Sequence, residues 1–142
     1  AFAEYYGLRL PNEYEWEKAA RGNTGYDYPL GNSINGSQAN YYDSGDPWDN
    51  GTTPAGFFNG QTFGGFQTTD SPSPYGAYDM AGNVEDWTST PGETDLNYGP
   101  QEYILKGGSW QYGSGNCQSG SSRQSSSYSS AWGIDWDLLL LL

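Results

Sequence analysis

The spacing of hydrophobic and polar residues predicts one clear α-helix, close to the start of the chain. Apolar residues recur at positions i, i+3 and i+4, on one face of a helix: Trp16, Ala19 and Ala20. Asn12 is a favourable N-cap, and Glu15 follows it at the spacing of a capping box. Gly22 then ends the helical pattern. We therefore expect a helix between Asn12 and Gly22 whose apolar face is buried.

Elsewhere the pattern predicts short elements separated by long ordered loops. Residues 1–6 resemble the end of another helix, closed by Gly7. Residues 22–69 are rich in Gly, Asn, Asp, Ser and Tyr, a composition typical of turns. So long a loop region in a compact domain needs buried aromatic side chains or a bound metal to fix it. Short strands are expected at three places: Val84–Thr88, Tyr103–Lys106 and Ile134–Leu142.

The composition describes one folded, strongly acidic domain. The chain has 142 residues, of which 17% are aromatic. It carries 17 acidic and 5 basic residues, which gives a formal charge of -12. A nucleic-acid ligand requires basic residues that displace phosphate counterions, and anionic membranes disfavour such a charge. We therefore expect no nucleic-acid partner and no membrane insertion; the apolar run Leu138–Leu142 is too short to span a bilayer.

Histidine and cysteine usage restricts the possible chemistry. The chain has no His, which removes the commonest general base and transition-metal ligand. Cys117 is the one cysteine, so an internal disulfide and a Cys/His zinc site are excluded. The excess of carboxylates is instead compatible with calcium, which prefers hard oxygen ligands.

Five segments, in order along the chain, carry a family resemblance. They are Gly7–Gly22, Tyr28–Asn32, Ala39–Asn40 with Gly51–Pro54, Tyr75–Ser89 and Lys106–Trp110. Together they resemble the formylglycine-generating-enzyme/sulfatase-modifying-factor family. The resemblance implies a single α+β domain over residues 1–142 with a C-type-lectin-like fold. Such a domain is largely irregular, with one or two helices and short antiparallel strands.

The resemblance also implies structural calcium. The matching positions of a first site are the Asn40 side chain, the Tyr41 carbonyl, Asp46 and the carbonyl near Trp48, with Asp49 as a competitor for Asp46. Those of a second site are Asp79, the Gly82 and Val84 carbonyls, and Asp86. Such an ion would fix loops and perform no chemistry. The alternative is that these acids cap turns or remain solvated, as Asp and Asn commonly do.

The family's oxidase activity uses two cysteines that bind copper just after the Gly-Gly-Ser strand. In this chain Cys117 matches the second of these positions, and Tyr112 occupies the first. Because one thiolate cannot form a two-sulfur copper site, we expect no copper and no enzyme activity. Cys117 is then interpreted as a small buried apolar residue, with a reactive thiol as the alternative.

Variable proteins of diversity-generating retroelements resemble the same family, and their variable region begins around the Gly-Gly-Ser-Trp segment. Here residues 111–133, which we name the recognition segment, follow a scaffold of residues 1–110 and precede a terminal strand at 134–142. The segment is rich in Ser, Tyr and Gly, the composition of antibody paratopes. The candidate ligand contacts are Trp110, Tyr112, Ser114, Asn116, Gln118, Ser119, Ser121, Ser122, Gln124, Ser126, Tyr128, Ser130 and Trp132.

The leading hypothesis is therefore a ligand-binding protein that recognises a protein or glycan on a target surface. Such a protein works outside the cell, or on a virion or cell surface, although this chain shows no signal peptide. One alternative is an enzyme of the formylglycine-generating oxidase class with altered chemistry. Others are a flexible Ser/Gly-rich loop without a ligand, and a structural surface domain without recognition.

Overall fold

The protein has one helix and several short strands joined by long loops. The computed structural model describes residues 5–48, 50–93 and 101–126. The elements are helix α1 (Glu13–Arg21), strands β1 (Thr62–Phe63), β2 (Phe66–Gln67), β3 (Asp86–Pro91) and β4 (Glu102–Lys106), a short 3-10 helix (Ser114–Cys117) and strand β5 (Arg123–Ser126). This confirms the expected irregular α+β architecture. The expected strand at 134–142 lies outside the described residues.

Helix α1 forms where the capping pattern predicts it. The Asn12 side chain accepts a hydrogen bond from the Glu15 backbone N–H, and the Glu15 carboxylate accepts one from the Asn12 N–H, each at 2.9 Å. Gly22, with φ 61°, ends the helix. Trp16 and Ala20 are fully buried. Before this helix, Tyr5 is helical and Gly7 has φ 71°, as expected for a helix end there.

Strands β3, β4 and β5 form an antiparallel sheet with β4 in the centre. In the register, Leu105 of β4 faces Trp87 on one side and Arg123 on the other. Leu105 is fully buried, and Trp16 places the helix against this sheet by donating its indole N–H to Asp86 at 2.8 Å. The sheet and α1 therefore share one buried interface.

Two strand predictions need correction. The strand expected at Val84–Thr88 is instead Asp86–Pro91, because Asn83 has φ 64° and its backbone bonds to loops before the ladder begins. A further strand, β5, lies inside the recognition segment, where no strand was predicted. Its alternation of exposed Gln124 with buried Ser125 is too polar to stand out in the sequence.

Another feature that the hydrophobic pattern missed is a small hairpin formed by β1 and β2. Gly64 and Gly65 connect the two strands with φ of 56° and 91°, and a two-residue glycine turn is a strong hairpin signal. Phe63 and Phe66 of the hairpin pack their rings with Phe57, which also packs against Trp48. Aromatic packing thus fixes part of the long loop region, as expected.

The buried apolar side chains form two further small clusters, both next to the family motifs. One contains Trp16, Ala20 and Met80, and the other Tyr28, Ala39, Ala81 and Cys117. Within the described residues, no helix is long and apolar enough to cross a membrane.

Candidate ligand-binding surface and loop anchors

Two loops, one containing Asn40 and the other Gly82, cross in the protein interior and bond to the start of the C-terminal region. Asn40 and Gly82 form a parallel bridge, and Asn83 donates its backbone N–H to the Asn40 carbonyl at 2.7 Å. Gly82 has φ 76°, and a Cβ there would lie 2.0 Å from the Asn40 carbonyl oxygen. Gly82 and Asn83 also bond to Gly107 and Trp110, at 2.8 and 3.0 Å. The crossing therefore links the central motif to the segment that begins the recognition surface.

The side chain of Asn40 lies in this crossing with one polar atom unpaired. Its amide N–H donates to the Gly51 carbonyl at 2.8 Å, and Asn83 accepts from the Thr53 backbone N–H at 2.8 Å. Asn40 is fully buried, yet its Oδ1 has no hydrogen-bond partner among the described residues. An unsatisfied buried acceptor costs about 1–3 kcal/mol, so this oxygen is a suitable ligand for a cation or a water molecule.

The other residues of the expected first calcium site stabilise their own turn. Asp46 accepts from the Ser44 hydroxyl and the Trp48 backbone N–H, both at 2.7 Å. The Tyr41 carbonyl accepts from the Ser44 N–H at 3.0 Å. A carboxylate has about four lone-pair positions, so these bonds leave Asp46 able to bind a cation as well. Asp49 lies outside the described residues.

The two carboxylates of the expected second site are bonded to different elements. Asp79, with φ 57°, accepts from the Gly56 N–H at 2.5 Å, whereas Asp86 accepts from the Trp16 indole. Among the described residues, no group of three or more His, Cys, Asp or Glu side chains could hold a metal. Because both expected sites also use carbonyl oxygens, such as those of Gly82 and Val84, calcium binding remains a prediction.

Cys117 is a structural residue of the core. Its side chain is fully buried and packs with Tyr28, Ala39 and Ala81. Burial, and to a smaller extent the negative charge of Glu85, raise the pKa of the Cys117 thiol to about 12. The interpretation of Cys117 as a small buried apolar residue is confirmed.

The described part of the recognition segment presents an uncharged polar surface. Asn116, Ser122 and Gln124 are exposed. Five further candidate contacts are half-buried: Trp110, Tyr112, Ser114, Gln118 and Ser121. Arg123 is the one charged residue between positions 107 and 126. A ligand would therefore be met by hydrogen-bonding and aromatic groups, not by charge.

One candidate contact is wrong. Ser119 is fully buried, because its backbone N–H donates to the Asp27 carbonyl at 2.7 Å and draws the chain inward beside Cys117. Its side chain therefore does not face a ligand. The Ser126 side chain, Tyr128, Ser130 and Trp132 lie outside what the structure describes.

The surface is attached to the scaffold at several points that the sequence did not indicate. The Tyr112 carbonyl accepts from the Tyr42 N–H at 2.9 Å, and the Gln124 side chain accepts from the Glu93 N–H at 2.8 Å. Gly108 passes so close to the Asn116 backbone that a Cβ would lie 2.7 Å from its carbonyl oxygen. Glu85 and Arg123 form a further ion pair. In the sequence, the one feature that could have indicated this ion pair is the presence of a single arginine in a Ser-rich segment.

Sequence comparison finds relatives over most of this chain. It is 34% identical to the serine/threonine-protein kinase pkn1 of Chlamydia caviae over 124 residues, which is 78% of this chain and 17% of that protein. It is 35% identical to the inactive C-alpha-formylglycine-generating enzyme 2 of Mus musculus over 114 residues, covering 78% of this chain and 34% of that protein. The chain thus spans about a third of the length of the mouse protein and about a sixth of the length of the Chlamydia caviae protein.

Structure comparison points to the same group of proteins. The Treponema denticola variable protein 1 superposes with a TM-score of 0.62 at 28% identity, covering 84% of this chain and 42% of that protein. The model of the sulfatase-modifying factor enzyme 1-like domain matches residues 1–134. The chain therefore belongs to the sulfatase-modifying factor enzyme 1-like domain family, with the C-type-lectin-like fold expected from its motifs.

Proposed function

We propose that this domain is a ligand-binding module, of the kind found in the variable proteins of diversity-generating retroelements. The observation that carries the proposal is the surface after Trp110. Asn116, Ser122 and Gln124 are exposed there. Cys117, which matches one of the family's two copper-binding cysteines, is buried. The similarity to a Treponema denticola variable protein supports this use of the fold.

The chemistry of the surface favours a protein or glycan ligand on a target surface. Ser, Asn and Gln side chains supply adaptable hydrogen bonds, and Tyr112 and Trp110 supply aromatic contact area at low entropic cost. The surface carries almost no charge although the whole chain has a formal charge of -12. Recognition of this kind places the module outside the cell, on a cell surface or on a virion.

An oxidase is the alternative that the family membership raises. Two observations weigh against it: the chain has one cysteine, and that cysteine has a pKa of about 12. A thiol of this kind is protonated at neutral pH, and no second thiol is available to complete a copper site or to exchange with a disulfide. The similarity to an inactive formylglycine-generating enzyme agrees with loss of the activity.

We further propose that a structural calcium ion fixes the loop that contains Asn40. The unpaired, buried Oδ1 of Asn40 fits an oxygen-binding cation, and Asp46 has carboxylate oxygens to add. The Tyr41 carbonyl and the carbonyl near Trp48 would complete the site. The role is to stabilise the loop that donates to the Tyr112 carbonyl through Tyr42.

The binding function is tested by a library displayed on phage. Asn116, Gln118 and Ser122 are randomised together, and binders are selected on an immobilised glycan array and on a panel of purified surface proteins. A matched library at exposed scaffold positions, Thr52, Ala55 and Tyr75, serves as the control. We expect folded, specific binders from the first library at a clearly higher frequency. Equal yields from both libraries would contradict a dedicated recognition surface.

The retroelement origin has its own test at the gene. We expect a neighbouring reverse-transcriptase gene and an imperfect repeat of the DNA that encodes residues 110–135. Absence of both would overturn the retroelement origin while leaving a ligand-binding role possible. Stoichiometric binding of Cu(I) with oxidation of the thiol would instead favour the oxidase alternative.

A further inference from the structure

Arg123 joins a buried carboxylate of the scaffold to the recognition segment. Glu85, just before β3, is 4% exposed. Arg123 Nε donates to both of its carboxylate oxygens, at 2.9 and 3.1 Å, and Arg123 Nη2 donates to the same carboxylate. Hydrogen bonding with Glu85 raises the pKa of Arg123, so its charge is permanent. A forked arginine–carboxylate pair fixes orientation as well as distance.

The same guanidinium also contacts the preceding loop. It lies 5.6 Å from the centroid of the Tyr112 ring, within the range of a cation–π contact. The Tyr112 backbone is held on both sides, with its N–H donating to the Ser109 carbonyl at 3.1 Å and its carbonyl accepting from Tyr42 at 2.9 Å. One side chain therefore connects β5, the loop at 110–117 and the scaffold.

The buried thiol of Cys117 can be used to measure how often the loop at 110–117 opens. The thiol is buried, as is the Glu85 carboxylate to which Arg123 is bonded. Because Cys117 is the last residue of the loop at 110–117 and packs against Tyr28, Ala39 and Ala81, its thiol becomes exposed only when this end of the loop leaves the scaffold. Exposure of this single thiol is therefore a measure of how often the loop opens.

We propose that Arg123 is a positioning residue of the recognition surface, which holds the loop at 110–117 and strand β5 against Glu85 in one arrangement. Opening the loop would separate a buried carboxylate from its partner, which is costly compared with breaking an exposed pair. A surface held in this way loses less conformational freedom on binding a ligand. Arg123 is thus part of the fixed framework, although it lies inside the recognition segment.

The experiment measures the labelling rate of Cys117 by Ellman's reagent in the folded protein. Arg123→Gln is expected to increase this rate at least about tenfold over the unsubstituted protein, with only a weak dependence on urea because the opening is local. Arg123→Lys keeps the charge but not the fork, and is expected to fall between the two. Arg9→Gln is the matched control, because Arg9 also pairs with a glutamate, Glu15, but the pair is exposed and lies far from Arg123 in the sequence. Its labelling rate is expected to stay unchanged.

Two results would overturn the proposal. One is an unchanged labelling rate in Arg123→Gln; the other is a rate with the full urea dependence of global unfolding, which would make Arg123 a general stabilising residue. If Arg123→Gln does not fold, Arg123→Lys and Glu85→Gln decide by the same criterion. The proposal rests on the proposed function only in calling the surface a recognition surface; the role of Arg123 in holding the loop does not depend on ligand binding. Since no ligand is used, the labelling result and the library selection can fail independently.

Discussion

Helix α1 and the recognition segment are held in place by different kinds of interaction. The helix is fixed by local capping and by one large buried side chain, Trp16. The described recognition residues have few apolar anchors, and are held by Cys117, by backbone bonds to distant loops and by the Glu85–Arg123 pair. The comparison teaches that the two regions are stabilised differently: a few anchors hold the segment, and several of its other side chains, such as Asn116 and Ser122, remain exposed.

The largest effect is expected from Trp16→Ala in the scaffold. This change removes a fully buried ring and leaves the Asp86 carboxylate without its indole donor. Large-to-small substitutions of this kind cost about 3–5 kcal/mol, so the domain should be unfolded or close to it at 25 °C. Urea unfolding followed by circular dichroism measures the loss. A cost near that of a surface substitution would contradict the central role given to this interface.

Calcium removal is expected to have the next largest effect. If an ion occupies the site around Asn40, saturation at about 100 times its dissociation constant stabilises the fold by about 2.7 kcal/mol. EDTA should then lower the melting temperature, and added calcium should restore it. Asp46→Asn removes a carboxylate from the proposed site but leaves Asn40 and its bond to Gly51 intact, so this variant should gain less stability from added calcium. An unchanged melting temperature in EDTA would show that the proposal of structural calcium is wrong.

The buried thiol predicts a loss of stability at high pH. The pKa of Cys117 is raised from 9.0 to about 12, so above pH 9 the unfolded chain releases a proton that the folded protein keeps. The stabilisation by the neutral thiol is therefore complete below pH 9 and decreases as the pH rises towards 12. The expected slope from this group is about 1.4 kcal/mol per pH unit.

Cys117→Ala isolates this contribution from the tyrosines that also titrate. The difference in unfolding free energy between the two proteins should shrink between about pH 9 and about pH 10.5, because only the cysteine protein loses this stabilisation. Urea titrations at both pH values provide the measurement. A constant difference would mean that the thiol is more accessible to solvent than its burial indicates.

The smallest effect on stability is expected from the exposed recognition residues. The combined variant Asn116→Ala and Ser122→Ala should change the unfolding free energy by only a few tenths of a kcal/mol per site. Binding by a selected parent protein should be lost at the same time. A loss of stability as large as that of Trp16→Ala would show that these exposed residues are themselves anchors of the fold.

Much of the scaffold could be predicted from the sequence because its signals are local. The capping box, the spacing of Trp16 and Ala20, and the hydrophobic run at β4 each act within a few residues. The buried state of Cys117 also followed from its apolar character. The β1–β2 hairpin was within reach too, since the pair Gly64–Gly65 is a local turn signal.

The remaining features depend on contacts between distant residues. Glu85 and Arg123 are 38 positions apart, and neither has a neighbour in sequence that indicates the other. The burial of Ser119 depends on a bond to Asp27, and strand β5 exists because β4 offers it an edge. None of these partners can be identified from spacing or composition.

By itself, the sequence determined the family, the helix, the acidic character and the presence of a single cysteine. Only the tertiary structure decided which residues after Trp110 are exposed and which are anchors. The physical reason is that capping and helical periodicity are interactions between near neighbours, whereas burial depends on which loops cross above a residue. Asn40 contacts Gly82, and Glu85 pairs with Arg123, although the partners in each case are distant in the sequence.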